Sequence, residues 1–244
     1  MPRITPNDPI YQYLLILTAI ILIFKASLAV FLARKIYKRT KKEGEFKLDF
    51  LFAVFILTVC LFISRLFLLY FDFYLTYFDQ TEYWKPESVF VWKVGQSIIS
   101  IGLIVLYFVV DKEALKFKLK GIPVIFSLLL LIIFIVYPVN SIEDFKFLTF
   151  LFTVANLMIL FIAFFFLYIG ITSKDLRKTG LSIFFGIVIY VISAMIAHIE
   201  VIEAITGSYG NSGLRTAYLL WALGKIIGLA LLAYATPKMY KTPA

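Results

Sequence analysis

From its first residues onward, the chain alternates long unbroken apolar runs with short connections rich in charge. Seven runs have spanning length: Ile10–Phe31, Phe50–Phe71, Val89–Val110, Ile122–Val139, Phe145–Ile171, Leu181–Ile202 and Thr216–Thr236. A helix crossing the hydrocarbon core takes about 20 mainly apolar residues. None of the runs keeps the two-residue alternation of a barrel strand. The pattern predicts an all-α, polytopic membrane protein, with one seven-helix transmembrane domain over residues 1–244 and no soluble domain. The fourth run, bracketed by Pro123 and Pro138, is the shortest. The longest connections, Asp72–Ser88 and Glu203–Arg215, have room only for short surface helices or lids.

Composition points the same way. Hydrophobic residues make up 62% and charged residues 16%, where a soluble domain has about half and about a quarter. The formal net charge of +9 would suggest nucleic acid in a soluble protein. Here the basic residues sort by connection instead. Arg34 to Lys47 follow the first run, Lys112 to Lys120 the third, Lys174 to Lys178 the fifth, and Lys238 and Lys241 the seventh. The opposite side carries Arg3, Lys85, Lys146 and Arg215 among Asp72, Asp79, Glu82, Glu87, Glu143, Asp144, Glu200 and Glu203. The bias toward basic cytoplasmic loops predicts a multi-pass cell-membrane protein, N-terminus outside and C-terminus cytoplasmic. The lipid bilayer is then the first partner, and no nucleic acid is expected. The first run is too long for a signal-peptide core and has its positive charge behind it, so it is expected to remain as a helix.

Candidate chemistry is sparse. A lone Cys60 forms no intrachain disulfide, and a lone His198 rules out multi-histidine metal sites. The acids of the basic connections stand singly among lysines, and no GxSxG setting occurs. No enzyme, metal or cofactor is therefore expected. Charges inside the hydrocarbon are costly, roughly 2.5–3.5 kcal/mol each at a helix centre, so each needs an account. Lys25 and Lys93 read as snorkelling to the headgroups. Arg65 and Asp72, seven residues apart, fall on one helix face as an ion pair. Lys225 lies too deep to snorkel, between Gly224 and Gly228. By depth, Arg65, Gln96, Ser100, Asn156, His198 and Lys225 gather in the outer half or near the midplane as a candidate ligand site, with Gln96 and Ser100 on one face. Its basic bias favours a carboxylate or another anion. The plainer alternative is interhelical hydrogen bonding, commonly worth about 1 kcal/mol per contact.

Trp92-Lys-Val-Gly95-Gln96 in the third run parallels Trp221-Ala-Leu-Gly224-Lys225 in the seventh. If runs one to three correspond to five to seven, two parallel triplets flank a linking helix, a three-plus-one-plus-three plan. That plan resembles the small sugar-transporter families in topology only, because their Pro-Gln kink is missing. Lys225 resembles the chromophore lysine of microbial rhodopsins in position and helix count alone: the third run has no internal acid, and Trp221 stands where an acid would be expected. Two function classes remain. The first is a receptor-like or sensor module that binds a small anionic ligand from outside and signals through a separate cytoplasmic partner. The loops 34–47 and 111–120 are its docking surfaces, or else contacts to anionic lipid. The alternative is a small-solute transporter, although Pro occurs only at run ends and mid-run Gly is rare.

Overall fold

The computed structural model describes residues 4–196 and 199–239, and no strand occurs among the described residues. The helices are α1 (Pro9–Glu43), α2 (Phe50–Tyr70), α3 (Pro86–Val109), α4 (Ile122–Val136), α5 (Ile142–Leu157), α6 (Ile159–Thr172), α7 (Arg177–Ile196) and α8 (Ile199–Ala235). Among the described residues, six helical stretches are long and apolar enough to cross a membrane, with α5 and α6 counted as one stretch and α4 as a shorter apolar helix. Large apolar side chains such as Ile23, Phe90, Ile132, Phe161 and Ile171 face outward all around the bundle. An exterior of this kind suits hydrocarbon, with helices satisfying their own backbone groups. The protein is a helical integral membrane protein.

Helix ends follow local chemistry. Pro occupies the first turn of α1, α3 and α4, where no backbone donor is needed. Asp49 caps α2 by accepting from Phe52 N at 3.1 Å and also receives Arg39 of α1. Beside this cap, the hydrogen bond from Lys47 holds the Glu45 carboxyl below its ordinary range. Three boundaries differ from the apolar runs. The fourth helix stops at Val136 instead of Val139, because Tyr137 precedes Pro138 and is held extended (ψ 123°). The fifth run is interrupted at Met158, which separates α5 from α6. The stretch Glu203–Arg215, given room only for short surface helices or lids, is helical on both sides of Gly210 (φ 57°, ψ −147°).

α2 and α3 finish with the same device. Each passes into a π turn, Phe71–Leu75 or Val110–Ala114. Two left-handed residues then reverse the chain, Tyr77 and Phe78 after α2, Lys116 and Phe117 after α3. Asp111, buried in the second π turn, fixes the α3–α4 connection by accepting from Leu119 N at 3.1 Å and Gly121 N at 2.7 Å.

The helices pack mainly on their chain neighbours: α1 on α2, α2 on α3, α3 on α4, α4 on α5, α6 on α7 and α7 on α8. α1 also packs on α8, which closes the circuit. Contact registers give the directions. Gly95 meets Phe67 and Gly102 meets Cys60, so α2 and α3 are antiparallel. Gly186 meets Gly228 and Gly224 meets Ser193, so α7 and α8 are antiparallel too. α1 and α8 run parallel, with Tyr13 near Arg215 and Leu17 and Ile21 against Trp221. One end of the bundle therefore gathers the lysine-rich connections, the basic end, and the other gathers Asp8, Asp79 and Glu82, the acidic end. The largest buried core fills the basic half, with Leu32, Leu57, Leu106, Phe166, Ile183 and Leu232 among its members. Smaller aromatic clusters around Phe73 and Phe78, and around Trp92 and Phe145, hold the acidic end together.

Candidate functional site: a cavity inside the helical ring

Between the packed basic half and the acidic end lies a cavity of about 320 Å³. Its walls come from α2, α3, α5, α6, α7 and α8, and the residues after the α2 π turn reach it through Phe78. Most of the wall is aliphatic or aromatic, and a few polar side chains stand out against it. Arg65 from α2, Gln96 from α3, Asn156 from α5 and Lys225 from α8 all line this one space.

Arg65 is 8% exposed and holds three elements together. Its Nη1 donates to Asp72 Oδ2 at 3.1 Å, its Nη2 donates to Thr18 Oγ1 of α1 at 2.9 Å, and its guanidinium lies 5.0 Å from the Trp221 ring centre. Asp72 stands in the π turn, seven residues and about two helical turns beyond the arginine. Arg65 Nε has no hydrogen-bond partner although it is buried. A buried donor left in that state costs about 1–3 kcal/mol. Gln96 Oε1 is buried and unpartnered as well.

Lys225 points its ammonium at aromatic faces, 4.5 Å from the Trp221 ring centre and 5.7 Å from that of Tyr190. Such contacts contribute about 0.5–2 kcal/mol, and among the described residues no carboxylate forms an ion pair with it. Trp221 thus serves both cations. Lys25, expected to snorkel, does not: it is 3% exposed and donates to Leu61 O at 2.8 Å. Leu28 and Leu32, one and two turns further along α1, are packed in the core and close its route outward. Lys25, Arg65 and Lys225 lie within electrostatic range of one another. Arg65 and Lys225 line the cavity and Lys25 lies near them, while Asp72 is the one carboxylate among the residues of the lining. Lys93 does reach the acidic end, where it donates to Ile135 O at 3.0 Å and Tyr137 O at 2.6 Å and so caps α4.

The other site candidates separate from this group. Ser100 donates to Gln96 O at 3.2 Å and faces a different pocket of about 20 Å³, shared with Asn156, Tyr107 and Ser127. The Tyr107 and Ser127 hydroxyls there are buried without partners, and the space suits a single water, which needs roughly 10–15 Å³. His198 lies outside the described residues. The close α7–α8 approach accounts for the glycines near Lys225: a Cβ on Gly224 would collide with Ser193 Oγ, and one on Gly228 would come within 2.7 Å of Gly186 O. Sequence reading did not single out Thr18 or the aromatic residue Tyr190. Thr18 carries no signal in the sequence, since it is one hydroxyl in an apolar run. Tyr190 sits in the middle of α7, away from both interfaces, and that depth was the available clue. Comparison with protein-family models, curated proteins and solved structures finds no match for this chain.

Proposed function

We propose that the protein is a seven-pass, receptor-like membrane module that binds a small anionic ligand in the central cavity. In this reading α4 is the seventh crossing, short enough to need local thinning or snorkelling at its ends. The N-terminus lies outside, so the acidic end is the extracellular one. One observation carries the proposal: the cavity wall sets two basic side chains, Arg65 and Lys225, against the one carboxylate among its lining residues, Asp72, with a buried Arg65 donor and a buried Gln96 acceptor left unpartnered. An anion entering the cavity would offset that imbalance and accept from Arg65 Nε and Lys225 Nζ. The dense basic half favours a receptor over a conduit, because no polar path continues through Leu57, Leu229 and Leu232. Signalling then passes to a separate cytoplasmic protein through the loops 34–47 and 111–120.

The transporter reading keeps one specific support. The single-residue irregularity at Met158, whose backbone stays right-handed helical (φ −58°, ψ −22°), lies mid-span beside the cavity-lining Asn156 and Leu157, and helix discontinuities at the midplane mark many transporter sites. The matched Trp92–Gln96 and Trp221–Lys225 segments, both on the cavity wall, suit the two-triplet plan. Solute counterflow in proteoliposomes separates the two readings. Anion binding without sustained exchange supports the receptor-like module; uptake abolished by Lys225→Gln would replace it with the transporter.

A further inference from the structure

We infer that the ligand is a single-chain anionic amphiphile, a hydrocarbon tail ending in one anionic group of which a carboxylate is the simplest form. The inference rests on the anion-binding reading above and adds the tail. Three wall helices change character in the same direction. On α2, Arg65 is followed toward the basic end by Leu61 and Leu57; on α3, Gln96 by Ile99 and Leu103; on α8, Lys225 by Leu229 and Leu232. Ile187 and Ile159 complete the apolar part. Eight residues separate Leu57 from Arg65, about 12 Å of helical rise. The cavity is thus a polar level with an apolar pocket beneath it.

A compact hydrophilic anion would occupy only the polar level and leave that pocket unfilled. An extended polar ligand would lose hydration against the Leu57, Leu103, Leu229 and Leu232 side chains, which offer it no hydrogen bonds. A chain with one charged end matches both parts at once. Volume agrees, since small-molecule sites run from roughly 300 to 1,000 Å³ and this one measures about 320 Å³. The route of entry has a structural counterpart. Met195 of α7 lines the cavity and is still 45% exposed, while α5, across from it, packs on α3 and α4. The cavity wall therefore reaches the lipid-facing side at the level of the polar groups, where a membrane-dissolved amphiphile would arrive.

The test uses the full chain in nanodiscs of zwitterionic lipid, with mid-chain brominated decanoate as the probe. Trp92 and Trp221 line the cavity, so bound bromine quenches their fluorescence saturably, and unlabelled decanoate restores it. Decanol and acetate should compete at least about tenfold less well, and Lys225→Gln should weaken decanoate about tenfold, the loss expected for one charge-assisted hydrogen bond. Leu229→Phe, which shortens the apolar pocket, should weaken decanoate while leaving hexanoate nearly unchanged. An unchanged unfolding midpoint for each variant shows that it is folded. If acetate competes as well as decanoate and depends on Lys225, the tail is wrong and the anion site stands. If decanol matches decanoate, or quenching is unsaturable and indifferent to both substitutions, the anion-binding reading falls with it.

Discussion

The two halves of the bundle use the same helices for opposite ends. Toward the basic end, α2 offers Ala53 and Val54, α3 Leu106 and Val109, and α8 Ala233 and Ala235, and these pack with α6 and α7 beside a void of about 20 Å³, too small for a ligand. Toward the acidic end, the same three helices present Arg65, Gln96 and Lys225 to open space. Lipid tails are as apolar as leucine, so packing and hydrogen bonding, not hydrophobic burial, hold membrane helices together. The basic half is then a fixed clamp. The acidic half is held by fewer and more polar ties, chiefly Arg65 to Asp72 and Thr18, and by rings at the mouth such as Phe73 and Phe78. Tight packing and the polar cavity lie at different depths of one ring.

Substitutions can break this contrast, and the largest effects belong to the clamp. Phe166→Ala removes a fully buried ring that packs on Phe50 and should destabilise by about 3–5 kcal/mol in reversible unfolding from mixed micelles. Asp72→Ala should approach the same loss, about 3 kcal/mol or more, because it strands the buried Arg65 charge. If it does not, the arginine is held by Thr18 and Trp221 alone. Gly228→Ala brings a methyl group against the α7 backbone and should cost about 1–3 kcal/mol. A cavity-wall change at Met195→Ala should cost less than about 1 kcal/mol, since the space beside it is already empty. Smallest of all should be Lys225→Gln, which keeps the unfolding midpoint while weakening anion binding about tenfold. A midpoint shift as large as that of Phe166→Ala would make Lys225 a packing residue and erase the distinction between the halves.

Much of this architecture was legible in the sequence, because apolar length alone marks the helices and charge marks their ends. The placement of Arg65, Gln96, Asn156 and Lys225 at similar depth followed from counting residues from the connections. What escaped were features set by neighbours instead of by local pattern. The interruption at Met158 has no Pro or Gly to announce it, and Val136 ends α4 through the proline two residues on. Lys25 lies at a depth where snorkelling is ordinary, and only the packing of Leu28 and Leu32 turns it inward. Ser100 shares a helix face with Gln96, but one further turn is enough to carry it behind the cavity wall into its own pocket. Periodicity assigns a face, whereas the position of the neighbouring helix decides which space that face meets.

α1 does not line the cavity, and yet its Thr18 holds the arginine that does. The helix continues unbroken from that contact to Glu43, 25 residues further on and about 38 Å away. It runs from the charged centre, past Leu28, Leu32 and Ile36 in the core, to Lys38, Lys41 and Lys42, with Arg39 tied to Asp49 at the start of α2. A tilt of one degree about Thr18 displaces that tip by roughly 0.7 Å over this length. Any tilt of α1 that follows an adjustment of that guanidinium group would therefore be largest at its basic end.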